Sequence, residues 1–303
     1  MAVRFCPIAS GSSGNCIYAG TESTNILFDA GLSGKRIKEG LDILNVDGTN
    51  IDALFITHEH SDHIKGAGII SRRFDIPIYA TEGTWEAMEN TIGNIGRRNK
   101  KFIYSGEPCV INDMCIMPFD IPHDAAEPVG YSIFAKDFKM TIATDLGHVT
   151  DTVKENIQGS DVLLLESNHD VDMLKCGSYP WALKQRILGD KGHISNETAG
   201  KLISEIMDGK LKHIYLGHLS DENNEPHLAY ETVKSILNEN DIKVGTYLKM
   251  DMASRYSNSC PVILWGEIWK FLLYVLENLK KNIGIWLLMS IQNVLESMLN
   301  LKL

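Results

Sequence analysis

The stretch Thr57-His58-Glu59-His60-Ser61-Asp62-His63 constrains this chain more than any other. Three histidines and one aspartate fall between positions 58 and 63. They follow Ile51-Asp52-Ala53-Leu54-Phe55-Ile56, which is short, apolar and β-branched at both ends, and so reads as a buried strand. A strand holds the root of a loop rigid, and a ligand-rich loop on a rigid root can fix metal ligands in place. His58 and His60 are two apart, so in an extended segment they leave the same face and can grip one ion. Asp62 and His63 come where the chain must turn and can point at a second. Imidazole with carboxylate suits zinc, manganese or iron. Gly66 and Gly68 then loosen the chain before another apolar run. A solvated polar loop accounts for a single histidine but not for this cluster.

The rest of the chain sets limits. Its 303 residues suit one large domain or two small ones, and 44% hydrophobic content supports a sizeable core. A net charge of -10 argues against a broadly basic nucleic-acid surface. Divalent ions would still supply positive charge locally where a phosphate docks. Six scattered cysteines without a C-x-x-C pair exclude a zinc ribbon or a compact disulfide framework. Met1 to Cys6 shows no signal-peptide apolar run, so the expected compartment is the reducing cytoplasm.

Strand-like segments are expected at 3–9, 16–19, 25–31, 51–56, 76–80, 102–104, 108–111, 114–119, 131–134, 140–144, 162–165 and 214–218. A final strand or hairpin is expected at 244–256. Helical spacing covers 34–44, 64–72, 82–92, about 180–189, 195–207 and 226–238. Strands come in clusters with helices between them in both halves. That pattern predicts an α/β sandwich, two sheets face to face with helices outside. Candidate ligands recur where strands run out, at 58–63, His123, Asp145 and His218, which argues for one site along a common edge.

The order H-x-H-x-D-H, then His, Asp and His resembles the metallo-β-lactamase superfamily of binuclear hydrolases over roughly residues 1–260. The resemblance implies a four-layer αβ/βα sandwich and two divalent metal ions per chain, zinc or manganese. It implies His58, His60 and His123 on the first ion, Asp62, His63 and His218 on the second, and Asp145 bridging them. A hydroxide shared by the ions would be the nucleophile, oriented by Asp62 as a catalytic residue. Gly192-His193-Ile194-Ser195, upstream of Gly217-His218-Leu219-Ser220, resembles the late histidine motifs of phosphodiesterase members. There His193 would protonate the leaving oxygen, which phosphodiester cleavage requires.

Further stretches are similar to the YycJ/WalJ group of bacterial exonucleases. They are Ser10 to Asn15, Glu166 to Asp170, Tyr179-Pro180-Trp181, and His218-Leu219-Ser220 running into Asn223-Asn224. That likeness implies a metal-dependent 5′-to-3′ exonuclease with DNA as partner and a link to DNA repair. Two rivals stand beside it: a hydrolase of a thioester, lactone or cyclic phosphodiester, and a metal-binding protein with little turnover. The interval from Asp145 to His218 is too short for the inserted cap of RNA-processing relatives.

Other residues have two readings each. His169 and His148 touch the site or serve the fold. Ser10, Ser12, Ser13 and Asn15 line the entrance or make a plain turn. Lys184 and Arg186 meet a nucleic-acid backbone or form a solvated helix face. Tyr179 and Trp181 stack a base or pack on the body. Arg97, Arg98, Lys100 and Lys101 read as a solvated loop in preference to a phosphate-docking patch. The domain reading is 1–263 for the hydrolase and 264–303 for an extra helical C-terminal segment, with helical apolar spacing at Ile268, Phe271, Leu272, Val275 and Leu279. That segment is too short for stable membrane insertion and is expected to dock on the body or to make a homo-oligomer.

Overall fold

A computed structural model describes residues 2–266, of which Val3–Ile263 form one compact unit. Apart from its first three residues, the 264–303 segment lies outside the described part. The strands are β1 (Ala2–Ala9), β2 (Cys16–Gly20), β3 (Asn25–Phe28), β4 (Ala53–Phe55), β5 (Ile78–Ala80), β6 (Lys100–Phe102), β7 (Cys109–Ile111), β8 (Met114–Asp120), β9 (Val129–Ala135), β10 (Phe138–Ala143), β11 (Val162–Glu166), β12 (His213–Gly217), β13 (Lys249–Met252) and β14 (Val262–Trp265). The α-helices are α1 (Gly34–Ile43), α2 (Ser61–Ile64), α3 (Ala67–Phe74), α4 (Glu82–Ile92), α5 (Asp151–Ile157), α6 (Val171–Cys176), α7 (Trp181–Leu188), α8 (Asn196–Ile206) and α9 (Pro226–Glu239).

Two mixed sheets result. The first runs β1-β2-β3-β4-β5-β6, with β14 beginning beside β1, and the second runs β13-β12-β11-β10-β9-β8-β7. β3, β4, β5 and β6 are parallel, as are β10, β11, β12 and β13; β1 to β3 and β7 to β10 are antiparallel. Parallel strands covered on both faces need continuous apolar sequence. Val162-Leu163-Leu164-Leu165 of β11 supplies it and is fully buried. Between the sheets, the Phe28, Phe55 and Tyr131 rings pack with centroids 5.3–5.6 Å apart. The Tyr131 hydroxyl donates to the Ile56 carbonyl across that layer. Outside the first sheet Ile37, Leu41, Trp85 and Met88 from helices close a core, and Val153, Leu202, Ile203 and Val233 do the same outside the second. This is the four-layer α/β sandwich expected. Each fully buried aliphatic side chain contributes about 1.5–3 kcal/mol.

Five of the nine described α-helices start at a side-chain cap. Ser33, Thr81, Thr150, Asp170 and Ser195 each accept a backbone N–H from the first turn.

Several expectations need correction. The single helix at 64–72 is two, α2 and α3, and Asp62 and His63 lie in α2 rather than in a loop. Gly68 does not loosen the chain: a Cβ there would lie 1.9 Å from the Ile92 carbonyl oxygen, so it marks a close approach of α3 to the end of α4. Helices α5 and α6 had no predicted counterpart. Of the strand or hairpin expected at 244–256, the strand is what forms: β13, parallel to β12. Among the described residues, no helix is long and apolar enough to cross a membrane.

Candidate metal centre

The fold brings the ligand candidates to one level because the parallel strands end together. Ala143 pairs with Leu165, and Leu165 with Leu216, so Asp145, Glu166 and His218 leave the second sheet at the same edge. From the first sheet, β3 and β4 end at Phe28 and Phe55, which places Asp29 and the 57–63 stretch opposite. Asp29, Asp145 and His218 all have left-handed backbone, with φ of 59°, 62° and 53°. Such positions cost of order 1–3 kcal/mol and turn a side chain sharply off its strand.

The His58, His63 and His123 rings are each oriented through Nδ1, whereas His218 Nδ1 is buried without a hydrogen-bond partner. His58 Nδ1 donates to Thr57 Oγ1 at 3.0 Å, which aims Nε2 at the cluster, where it is buried without a hydrogen-bond partner. His63 Nδ1 donates to Asp29 Oδ2 at 2.8 Å, and Asp29 is itself held by the Thr57 backbone N–H at 2.8 Å and by the Thr57 hydroxyl. His123 Nδ1 donates to the Gly192 carbonyl at 3.3 Å, and its Nε2 lies 3.3 Å from His60 Nδ1. His218 is pinned through its backbone: its N–H donates to Ser10 Oγ at 3.0 Å, and its carbonyl accepts from Asn168 Nδ2 at 2.9 Å. The Asn15 side-chain amide stands 3.1 Å from His63 Nε2 and 3.5 Å from Asp62 Oδ2.

Asp145 lies in the middle. Its Oδ1 is 3.3 Å from His218 Nε2 and 3.6 Å from His123 Nε2, and its Oδ2 is 3.4 Å from His63 Nε2. Oδ2 is buried and has no hydrogen-bond partner. His58, His60 and His123 converge closely enough to share an ion, and so do Asp62, His63 and His218. Buried lone pairs without donors are costly unless a cation takes them, so this donor set fits divalent metal. Its electrostatics agree. Burial and neighbouring imidazoles keep His58 well below its usual pKa, and burial lowers His60 and His218. Burial opposes charge on His63, but Asp29, Asp145 and Asp62 outweigh it and hold its pKa well up. Burial would raise Asp145, yet His218, His63, His58 and His123 hold it well below the usual carboxylate range.

His193 stands at the rim. Its Nδ1 donates to Glu166 Oε1 at 2.7 Å and lies 4.0 Å from Asp145 Oδ1. Burial disfavours its charge, but Glu166 raises its pKa to about 9. The fully buried Glu166 also accepts the Leu146 and Ile194 backbone N–H groups at 2.9 and 3.1 Å, so its carboxylate is fixed from three sides. A cavity of about 230 Å³ opens beside the cluster. His60, Asp62, His123, Asp145, His193 and His218 form one side of it, and Tyr179, Leu183, Arg186 and Ile187 line another.

All seven predicted ligands and His193 therefore meet. Asp29 and Glu166, the carboxylates that orient His63 and His193, were not predicted, although both sit at strand ends like the residues that were. Ser10 and Asn15 are buried supports of the cluster, Ser12 lines the cavity and Ser13 is exposed. Lys184 is buried, and its ammonium donates to the Lys175 and Gly177 carbonyls, so it faces no nucleic acid. His148 is exposed and donates to the Asp190 carbonyl, away from the cavity. His169 is buried, with burial lowering its pKa to about 4. Asn224 ties the Ser167 and Asn168 carbonyls to Asn196, which explains the Asn223-Asn224 stretch as scaffolding. The basic run is paired outward, Arg98 to Asp75 and Lys100 to Glu89.

Residues 24–218 match the β-lactamase superfamily domain. The chain belongs to that superfamily. Among curated proteins it is 44% identical over 246 residues to a Bacillus anthracis protein named exodeoxyribonuclease YycJ, covering 81% of this chain and 93% of that one. It is 41% identical over 249 residues to exodeoxyribonuclease WalJ of Streptococcus pneumoniae, covering 82% and 93%. Among solved structures it is similar to the metallo-β-lactamase fold protein YhfI of Bacillus subtilis, with a TM-score of 0.65 at 14% identity over 86% of this chain and 99% of that one. As a member of the β-lactamase superfamily with this donor set, the chain is a metal-dependent hydrolase.

Proposed function

We propose that this hydrolase is a 5′-to-3′ DNA exonuclease of the cytoplasm that works with two divalent ions, zinc or manganese. His58, His60 and His123 would hold the first, Asp62, His63 and His218 the second, with Asp145 between them. When bound, such a pair supplies Lewis acidity to a phosphate and a nucleophile at neutral pH. The observation that carries the reading is the Glu166–His193 pair beside the cluster. Thioester cleavage releases a stable thiolate that needs no proton donor at the leaving atom, whereas the alkoxide expelled from a phosphodiester does. Glu166 fixes His193 Nδ1–H, which leaves Nε2–H free to donate into the cavity. Asp62 would give one carboxylate oxygen to the second ion and leave the other to orient the nucleophile and take up its proton. The names of both relatives support DNA as the substrate.

A second reading has its own support. Among the described residues, Arg186 is the one arginine or lysine on the cavity wall, and Asp124 already pairs with it. A cavity with so little free positive charge also suits a small-molecule substrate. Metal-loaded protein incubated with 5′-phosphorylated and 5′-hydroxyl duplex DNA, single-stranded DNA, RNA, and a thioester and a lactone separates the two. We expect DNA to shorten from the 5′ end, and His193→Ala to lose about 10²–10⁴-fold in rate with its metal retained. Fast ester turnover with every nucleic acid untouched would reject the nuclease.

A further inference from the structure

The two sides of the cavity differ in chemistry, and only one is accounted for by metal and proton transfer. We infer that Tyr179, Leu183 and Ile187 form the seat for the base of the nucleotide being removed. This rests on the nuclease reading above. Leu183 and Ile187 are four apart on α7 and so share one face, while Tyr179 enters the same wall from the turn before the helix. Their backbone is pre-set. The buried Lys184 ammonium holds the Lys175 carbonyl at 2.8 Å and the Gly177 carbonyl at 2.7 Å, and the Lys184 N–H bonds to Pro180 at 3.1 Å. Tyr179 is half-buried, and its hydroxyl has no hydrogen-bond partner among the described residues.

The occupant follows from what lies beside the wall. The phosphate belongs at the polar cluster, because Arg186 on the apolar side is neutralised by Asp124. The group attached to that phosphate therefore meets Tyr179, Leu183 and Ile187, and the flat, apolar part of a nucleotide is its base. An aromatic ring backed by aliphatic side chains takes any base, since every base has a π-face. The cavity of about 230 Å³ is of the size to take a single terminal nucleotide. Trp181 supplies an internal control. It is 64% exposed, and two positions before Leu183 on a helix it faces away from the wall.

The test uses two single-stranded oligonucleotides, one with a natural terminal nucleotide and one whose terminal nucleotide is abasic. Tyr179→Ala should raise KM at least about five-fold on the natural end and leave kcat within about two-fold, the lower limit for one lost base–aromatic stack. Tyr179→Phe and Trp181→Ala should keep the wild-type KM. On the abasic end, wild type and Tyr179→Ala should share one raised KM. An equal KM for natural and abasic ends in wild type, or equal losses on both in Tyr179→Ala, would overturn the seat while leaving the nuclease intact. A wild type that cleaves neither oligonucleotide, but turns over an apolar thioester with a KM that Tyr179→Ala raises, would give the wall to an acyl group and end both readings.

Discussion

The two sheets serve the cluster in opposite ways. The first delivers His58, His60, Asp62 and His63 in one pass from the end of β4. Its geometry is local: Thr57 and Asp29 lock the rings, and the Asp62 and His63 carbonyls are gripped by the Asn15 and Ala30 backbone N–H groups at 2.8 and 2.7 Å. The second sheet delivers single residues from separate strands. Their convergence depends on the parallel register of β10, β11 and β12 and on left-handed bends at Asp145 and His218. The first side carries four of the candidate metal ligands. The second also carries Glu166 and His193, which hold and aim a proton. Metal ligation draws on both sheets, but the Glu166–His193 pair belongs to the second side alone, so the leaving-group proton should separate from metal affinity under mutation.

Glu166→Gln gives the larger expected effect on rate. It removes the charge that holds His193, so kcat at saturating metal should fall about 100-fold, the lower end of what a general acid contributes, with metal content unchanged. Paired kinetics and metal analysis check this; a protein that loses metal together with activity would break the division between the sheets. The smaller effect is expected from Asp29→Asn on the other side. Partners that orient a ligating histidine usually account for about 10–100-fold in metal affinity. Competition with a chelator should show that loss, while kcat at saturating metal stays near wild type. A fall in kcat without weaker binding would assign Asp29 to the chemistry instead.

The same contrast explains what could be read from sequence. The 57–63 stretch was legible because its ligands are contiguous and follow an apolar strand. His123, Asp145 and His218 were legible because each stands where a strand runs out. Asp29 and Glu166 satisfy the same rule, after Phe28 and Leu165, but a lone carboxylate at a strand end is common, and only the folded register shows which histidine it meets. Helices α5 and α6 are 7 and 6 residues long, with too few apolar positions to show a period, and their Thr150 and Asp170 caps were the available signal. Lys184 looked like a solvated or phosphate-facing cation because sequence does not reveal that two carbonyls of the preceding turn enclose it. Gly68 looked like a flexible joint because the carbonyl that excludes a side chain belongs to Ile92, far along the chain.

The central claim is that the two sheets together hold two ions in one cluster. Metal content per chain, measured after zinc or manganese loading and removal of free metal, tests it most directly. Two ions per chain in wild type and one in His218→Ala, with the fold retained by circular dichroism, is the predicted result. One ion per chain in wild type would contradict it.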